Sequence, residues 1–329
     1  MVVRVEKCPV PVLWLDTAVF IKMAKIASRE QLGELEHERI ERLSQVVLDK
    51  VRSGRLLCPE GQQDEEFDYK RAEFTAARRA MLMASRAIRL RHPRSIEQIQ
   101  FHHVARGYLD GAREVVLQYG DGFMGDPLSP RERDSAFAIR CYLGAGAEDR
   151  DERQRARYRH RDKLEALGKA NKVAGIGFAE LRDRELAFLP GTLNDAFNRA
   201  AAAIRRGDYM GGYLDFVNSY PMQLQKVWRR ISGGIEGFRE FIASGHYKAI
   251  PAVDIYANLY ADVLTGGAID DGDATDIDHL ASVIPYCNYV LTDKKMRRRV
   301  RRLGLDSKYG TQVFAMADTV ELISELEAL

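Results

Sequence analysis

Hydrophobic and polar positions change their period several times along the chain, and each change marks an expected element. Residues 10–15 form a near-continuous apolar run closed by Asp16, as expected of a strand buried on both faces of a parallel sheet. A helix opens at Ala18, and Leu32, Leu35, Ile40, Leu43, Val47 and Val51 then recur at helical spacing up to Gly54, which suits the turn after a helix end. Arg55–Pro59 reads as a second short strand stopped by proline, and Gln62–Phe67 opens another helix with acids in its first turn, where the helix dipole favours them. This is a β-α-β unit.

From about residue 68 to 265 the pattern is mostly helical. Glu73–Leu90 is a long amphipathic run broken by Pro93, and Gly120–Pro130 is a turn-rich loop. Asn194–Ile204, Phe216–Ile231 and Ile235–Ala243 add helices separated by glycines. The tail returns to α/β alternation: a helix over Asp276–Ile284, a strand over Cys287–Leu291, a basic helix, a strand over Thr311–Ala315 and a helix over Val320–Leu329. The expected fold is α/β, a parallel sheet flanked by helices, built from residues 1–70 and 266–329 around a large all-α insertion over 71–265.

Composition narrows the function classes. The 329 residues are 46% hydrophobic and 30% charged, ordinary for a soluble globular protein. A net charge of +2 leaves any nucleic-acid argument to local patches. Cys8, Cys58, Cys141 and Cys287 are scattered without a CxxC pair, which argues against a zinc ribbon or disulfide framework and for a reduced, cytoplasmic setting. No leader pattern and no long apolar window is evident, so no membrane association is expected.

Three acids stand where chemistry is expected: Asp16 after the first strand, Asp276 opening a late helix, and Asp293 after the Tyr289–Thr292 run. A parallel sheet brings such residues together at the carboxyl ends of its strands. Converging carboxylates need a positive partner to ionise together. A hard divalent cation, Mg²⁺ or Mn²⁺, meets that need and suits phosphodiester hydrolysis. Beyond Asp293, seven of the nine residues of Lys294–Arg302 are basic; Lys294, Lys295, Arg297, Arg298 and Arg301 are the expected contacts to a polynucleotide backbone.

Leu15-Asp16-Thr17, the acids after Cys58-Pro59, Asp276-Ile-Asp-His279 and Tyr286-Cys-Asn-Tyr-Val-Leu-Thr-Asp293 together resemble the PIN-like nucleases, metal-dependent enzymes that mostly cut RNA. The resemblance covers roughly the first 70 and last 60 residues. It implies that Asp16, Glu66, Asp276 and Asp293 are the catalytic, metal-holding acids, and that the substrate is a nucleic acid, RNA first. Asp64 and Glu65 compete with Glu66 for the second position, and Asp273 and Asp278 flank Asp276.

Two other functions compete: a non-catalytic binding or assembly module of the same fold, and a phosphatase of the haloacid-dehalogenase type. The latter wants a second Asp two residues after Asp16, where Ala18 stands. Blander roles are expected elsewhere. His279 reads as structural and Trp228 as core. The mixed-charge block over 148–163 reads as a salt-bridged exposed helix. Its Arg155-x4-His160 spacing, also found in the HEPN ribonucleases, is expected by chance in so arginine-rich a stretch.

Overall fold

The computed structural model describes residues 1–27, 33–61, 63, 72–129, 147–231 and 234–329. In chain order the strands are β1 (Val2–Val5), β2 (Leu13–Leu15), β3 (Glu114–Leu117), β4 (Tyr289–Thr292) and β5 (Gln312–Ala315). The helices are α1 (Thr17–Ala27), α2 (Glu34–Arg52), α3 (Ala72–Ser85), α4 (Pro93–Leu109), α5 (Ala147–Val173), α6 (Phe178–Leu186), α7 (Phe188–Arg205) and α8 (Tyr209–Asn218). They continue with α9 (Tyr220–Trp228), α10 (Ile235–Ala243), α11 (Pro251–Thr265), α12 (Asp273–Val283), α13 (Lys294–Arg302), α14 (Leu305–Tyr309) and α15 (Thr319–Glu327). Among the described residues no helix is long and apolar enough to cross a membrane.

The chain divides into two compact units. The α/β unit contains Glu6–His92, Gln118–Lys163 and Asp270–Leu329. Its sheet runs β2-β4-β5, all parallel, with Leu15 opposite Leu291 and Thr292 opposite Ala315. Single parallel bridges, Val12 to Leu57 and Glu60 to Arg89, continue the order beyond β2. The chain therefore builds the sheet outward from β2 in one direction, then returns to build β4 and β5 on its other side. Strand order reverses between β2 and β4, and in open α/β sheets ligands bind outside the carboxyl ends at that point.

Alternation sorts the strand residues onto two faces. Leu13, Leu15, Tyr289, Leu291 and Phe314 join a core with Val19 and Phe20 of α1, Ile40, Leu43 and Val47 of α2, Met81 of α3 and Leu322 of α15. Trp14 lies on the opposite face, its ring edge-on to His279 of α12 with centroids 5.8 Å apart.

The second unit contains Met1–Val5, Pro93–Leu117 and Leu164–Ile269. Helices dominate it, but β1 and β3 pair in parallel from Val2–Glu114 to Val5–Leu117, so the all-α expectation for 71–265 is corrected. A β-carbon at Gly107 of α4 would lie 2.3 Å from Val115 of β3, so only glycine lets this helix approach the strand so closely. Phe101, Trp228, Phe238, Phe241 and Tyr247 form an aromatic core. Trp228 is fully buried and its indole nitrogen donates to Gly234 O at 3.0 Å, which leaves no face for stacking on a base. The compact units also differ from the expected boundaries. Residues 1–5 belong with the helical unit, and 72–92 with 118–163 belong to the α/β unit.

Candidate functional site

The acids of interest gather at the carboxyl edge of the β2-β4-β5 sheet. Asp16 extends β2 by one rung, its amide donating to Leu291 O at 3.0 Å. It shares a face with Trp14 and lies partly buried. Thr292, the last residue of β4 and buried, donates from Oγ1 to Asp16 Oδ2 at 3.2 Å. Gln63 closes the other side: it is fully buried and donates to Leu15 O at 2.8 Å.

Two bonding sets fix the direction of α12. Its first residue, Asp273, accepts from Lys295 just beyond β4, with Nζ 2.8 Å from Oδ2. At its far end Ile284 O accepts from Lys7 at 3.2 Å, and Lys7 also donates to Cys287 O ahead of β4 at 2.7 Å. The helix therefore runs antiparallel to the strands and starts at the acidic edge. His279 touches Trp14. Asp276 lies three residues earlier on the same helix face, about 4.5 Å along the axis. Asp16 lies two residues beyond Trp14, about 6.6 Å along the strand. Both displacements run toward the carboxyl edge of the sheet.

Neighbouring acids have other employment. Asp273, a possible stand-in for Asp276, is 2% exposed and also accepts from Arg299 Nη1 at 3.1 Å. Lys295 is shared with Asp270 Oδ2 at 2.7 Å. Burial pulls the Lys295 ammonium down, but its bonds to Asp270 and Asp273 prevail and hold its pKa above the ordinary lysine value. Asp278 is exposed. Asp293 is the N-cap of α13, its Oδ1 accepting from the Lys295 and Met296 amides at 2.6 and 3.0 Å. Asp64, Glu65 and Glu66 lie outside the described residues. Among the described residues, no group of three or more His, Cys, Asp or Glu side chains could hold a metal ion.

The basic helix is corrected in part. Lys295 and Arg299 point inward to Asp273. Arg301 donates twice to Val313 O, at 3.1 and 2.8 Å. Arg297 Nε sits 2.7 Å from Asp318 Oδ2 as an ion pair. Lys295 and Arg299 tie α13 to the start of α12, Arg297 and Arg301 tie it to β5 and the turn beyond, and Lys294, Arg298 and Arg301 are exposed.

Two acids at this edge escaped the sequence analysis. Glu60, fully buried after the second extended segment, pairs with Arg89 at 2.5 Å. Asp318, after β5, accepts from the Ala315 amide at 2.8 Å. Both follow an apolar run, the same signal that singled out Asp16, and both are matched by arginine. Asp16, Asp276 and Thr17, whose hydroxyl is buried with no hydrogen-bond partner among the described residues, supply oxygen groups on these elements. Hard oxygens of this kind fit a hard cation. Compared with known proteins, the chain matches no family model, no curated protein and no solved structure.

Proposed function

We propose that the chain is a metal-dependent phosphodiesterase of PIN-like type, an endoribonuclease that uses Mg²⁺ or Mn²⁺. What supports this reading is Asp16, oriented by Thr292 at the carboxyl end of β2 where strand order reverses, with α12 starting at the same edge. In this reading Asp16 and Asp276 hold the cation, with an acid from positions 64–66 as the third ligand. When bound, the cation would supply charge neutralisation at the phosphoryl oxygens and a water of lowered pKa. Thr292 holds the Asp16 carboxylate in orientation through its hydroxyl. Asp293 contributes through α13, whose first turn it caps, and the exposed Lys294 and Arg298 contact phosphates of the strand.

The test is cleavage of labelled single-stranded RNA by the purified chain in Mg²⁺, in Mn²⁺ and in chelator. Asp16→Asn and Asp276→Asn each remove a charged ligand and almost no volume, so cleavage should fall to the uncatalysed level with the circular dichroism spectrum unchanged. Full activity in both variants sinks the proposal. One observation favours the second reading, a non-catalytic nucleic-acid-binding module: Asp273 and Glu60 are neutralised by the chain's own cations. Under that reading the parent binds RNA and leaves it intact in either metal.

A further inference from the structure

Apolar side chains crowd the outer face of the α7–α8 hairpin. Tyr209, Met210 and Tyr213 are 69%, 68% and 60% exposed, and Phe197, Ile204 and Leu214 are 43–47% exposed. They form one face because the two helices pack closely. A β-carbon at Gly212 of α8 would lie 2.9 Å from Ala203 Cβ and 3.5 Å from Ile204 Cγ1 of α7. The Phe197 and Phe216 rings meet across the same seam, with centroids 4.6 Å apart. Tyr209 with Tyr213, and Met210 with Leu214, are i, i+4 neighbours that carry the face outward around α8.

At about 200 Å² for a large side chain, these exposures amount to roughly 600 Å², the top of the range for the largest apolar patch on a typical monomer. A specific dimer buries about 800 Å² on each partner, and this face with its polar rim supplies most of that. Its composition is that of an interface. Residues 186–225 contain no Lys and no Glu, in a chain that is 30% charged. Interface cores favour Tyr, Phe, Met and Arg and are depleted in Lys and Glu.

The charges decide between partners. Arg199, Arg205 and Arg206 are offset by Asp195, Asp208 and Asp215, so three cations and three anions leave the segment neutral. A nucleic acid or an anionic lipid surface requires an excess of cations. A neutral face is not repelled by its own copy. Arg205, Arg206 and Asp208 are exposed at the turn of the hairpin, where a two-fold axis lets each sign meet the other. We infer that the α7–α8 face is a two-fold interface through which the chain pairs with a second copy of itself. No residue of the carboxyl edge takes part, so this stands apart from the phosphodiesterase reading.

Sedimentation equilibrium of the full chain over a concentration series tests it. The parent should rise toward twice the mass of one chain. Met210→Glu combined with Tyr213→Glu sets like charges on both copies and should weaken pairing at least about thirtyfold, the loss of one anchoring aromatic. The circular dichroism spectrum should not change, because both positions face solvent in the single chain. Tyr213→Ala, which adds no charge, should weaken pairing about tenfold. A parent that stays monomeric up to its solubility limit overturns the inference. So does an association constant equal to the parent's in both variants, which would move the contact to another face. Anisotropy of labelled single-stranded RNA and co-sedimentation with phosphatidylserine vesicles check the other occupants. A monomeric parent that loses RNA or vesicle binding in Tyr213→Ala would assign the face to that ligand instead.

Discussion

The two edges of the β2-β4-β5 sheet treat polar groups in opposite ways. At the amino edge a single cation, Lys7, donates to Ile284 O, Cys287 O and Thr311 Oγ1, and Thr311 in turn donates to Ile284 O at 2.6 Å. Burial pulls the Lys7 amine down to about 8, and its donors all have acceptors within the fold. At the carboxyl edge acids predominate. Some are matched internally, as Asp273 is by Arg299 and Lys295, while the Thr17 hydroxyl, next in sequence to Asp16, has no partner among the described residues. An edge whose polar groups are satisfied from within serves as a staple. An edge that leaves some unsatisfied carries their desolvation cost into the folded state. Breaking either side should therefore give distinct signatures.

Apart from loss of cleavage in Asp16→Asn and Asp276→Asn, the largest effect is expected from Asp273→Asn. It strands Arg299, only 7% exposed, beside a neutral amide. Breaking a buried ion pair from one side costs about 3–5 kcal/mol, which chemical denaturation would read. If Asp273 were instead a metal ligand, the variant would keep its stability and lose metal-dependent activity.

Next in size is the pH dependence set by Lys7. Its folded pKa, about 8, lies below its ordinary value of 10.5. In that window the unfolded chain holds a proton that the folded chain has released, so this group makes stability rise with pH from about 8 to 10.5 and adds no slope below it. Lys7→Met should flatten that rise in denaturation curves while leaving RNA affinity unchanged. An identical pH slope in the variant would show that Lys7 is solvated.

Asp293 separates capping from metal binding. Asp293→Asn keeps a good N-cap and should change stability little, whereas Asp293→Ala should cost about 1 kcal/mol. Loss of cleavage in the Asn variant equal to that of Asp16→Asn would make Asp293 a ligand and not a cap.

The smallest effect concerns the exposed cations of α13. Replacing Lys294 and Arg298 by alanine should lower the slope of log affinity against log salt by about 0.7 per lost phosphate contact on single-stranded RNA. Replacing Arg297 and Arg301, which are held by Asp318 and Val313 O, should act on stability and leave the slope nearly intact. The reverse pattern would mean that α13 presents its other face to the substrate.

Much of the α/β unit was legible in advance. The strands near residues 13–15, 289–292 and 312–315 announce themselves as short apolar runs because both faces of the sheet are covered. Asp276 and Asp293 were readable as helix-opening acids for a local reason, the preference of first-turn and cap positions for carboxylates. The β1–β3 pair was not legible. Four-residue strands separated by more than a hundred positions, Val2 opposite Glu114, leave no local period to detect.

What the sequence by itself determined is most elements of the α/β unit and several of the acids at their ends, since periodicity, capping and chain direction act within a few residues. Which charges remain available was decided only by the tertiary structure. Lys295 and Arg299 belong to a run that looks uniformly cationic, yet both are engaged by Asp273 from a helix more than twenty residues earlier in the chain. Nothing in the composition of α13 distinguishes them from Lys294 and Arg298. Coulomb and hydrogen-bond energies depend on distance and burial, and those are set when α12 folds back along the sheet. The orphaned Thr17 hydroxyl is of the same kind, because an unsatisfied group is a property of its surroundings and not of the residue.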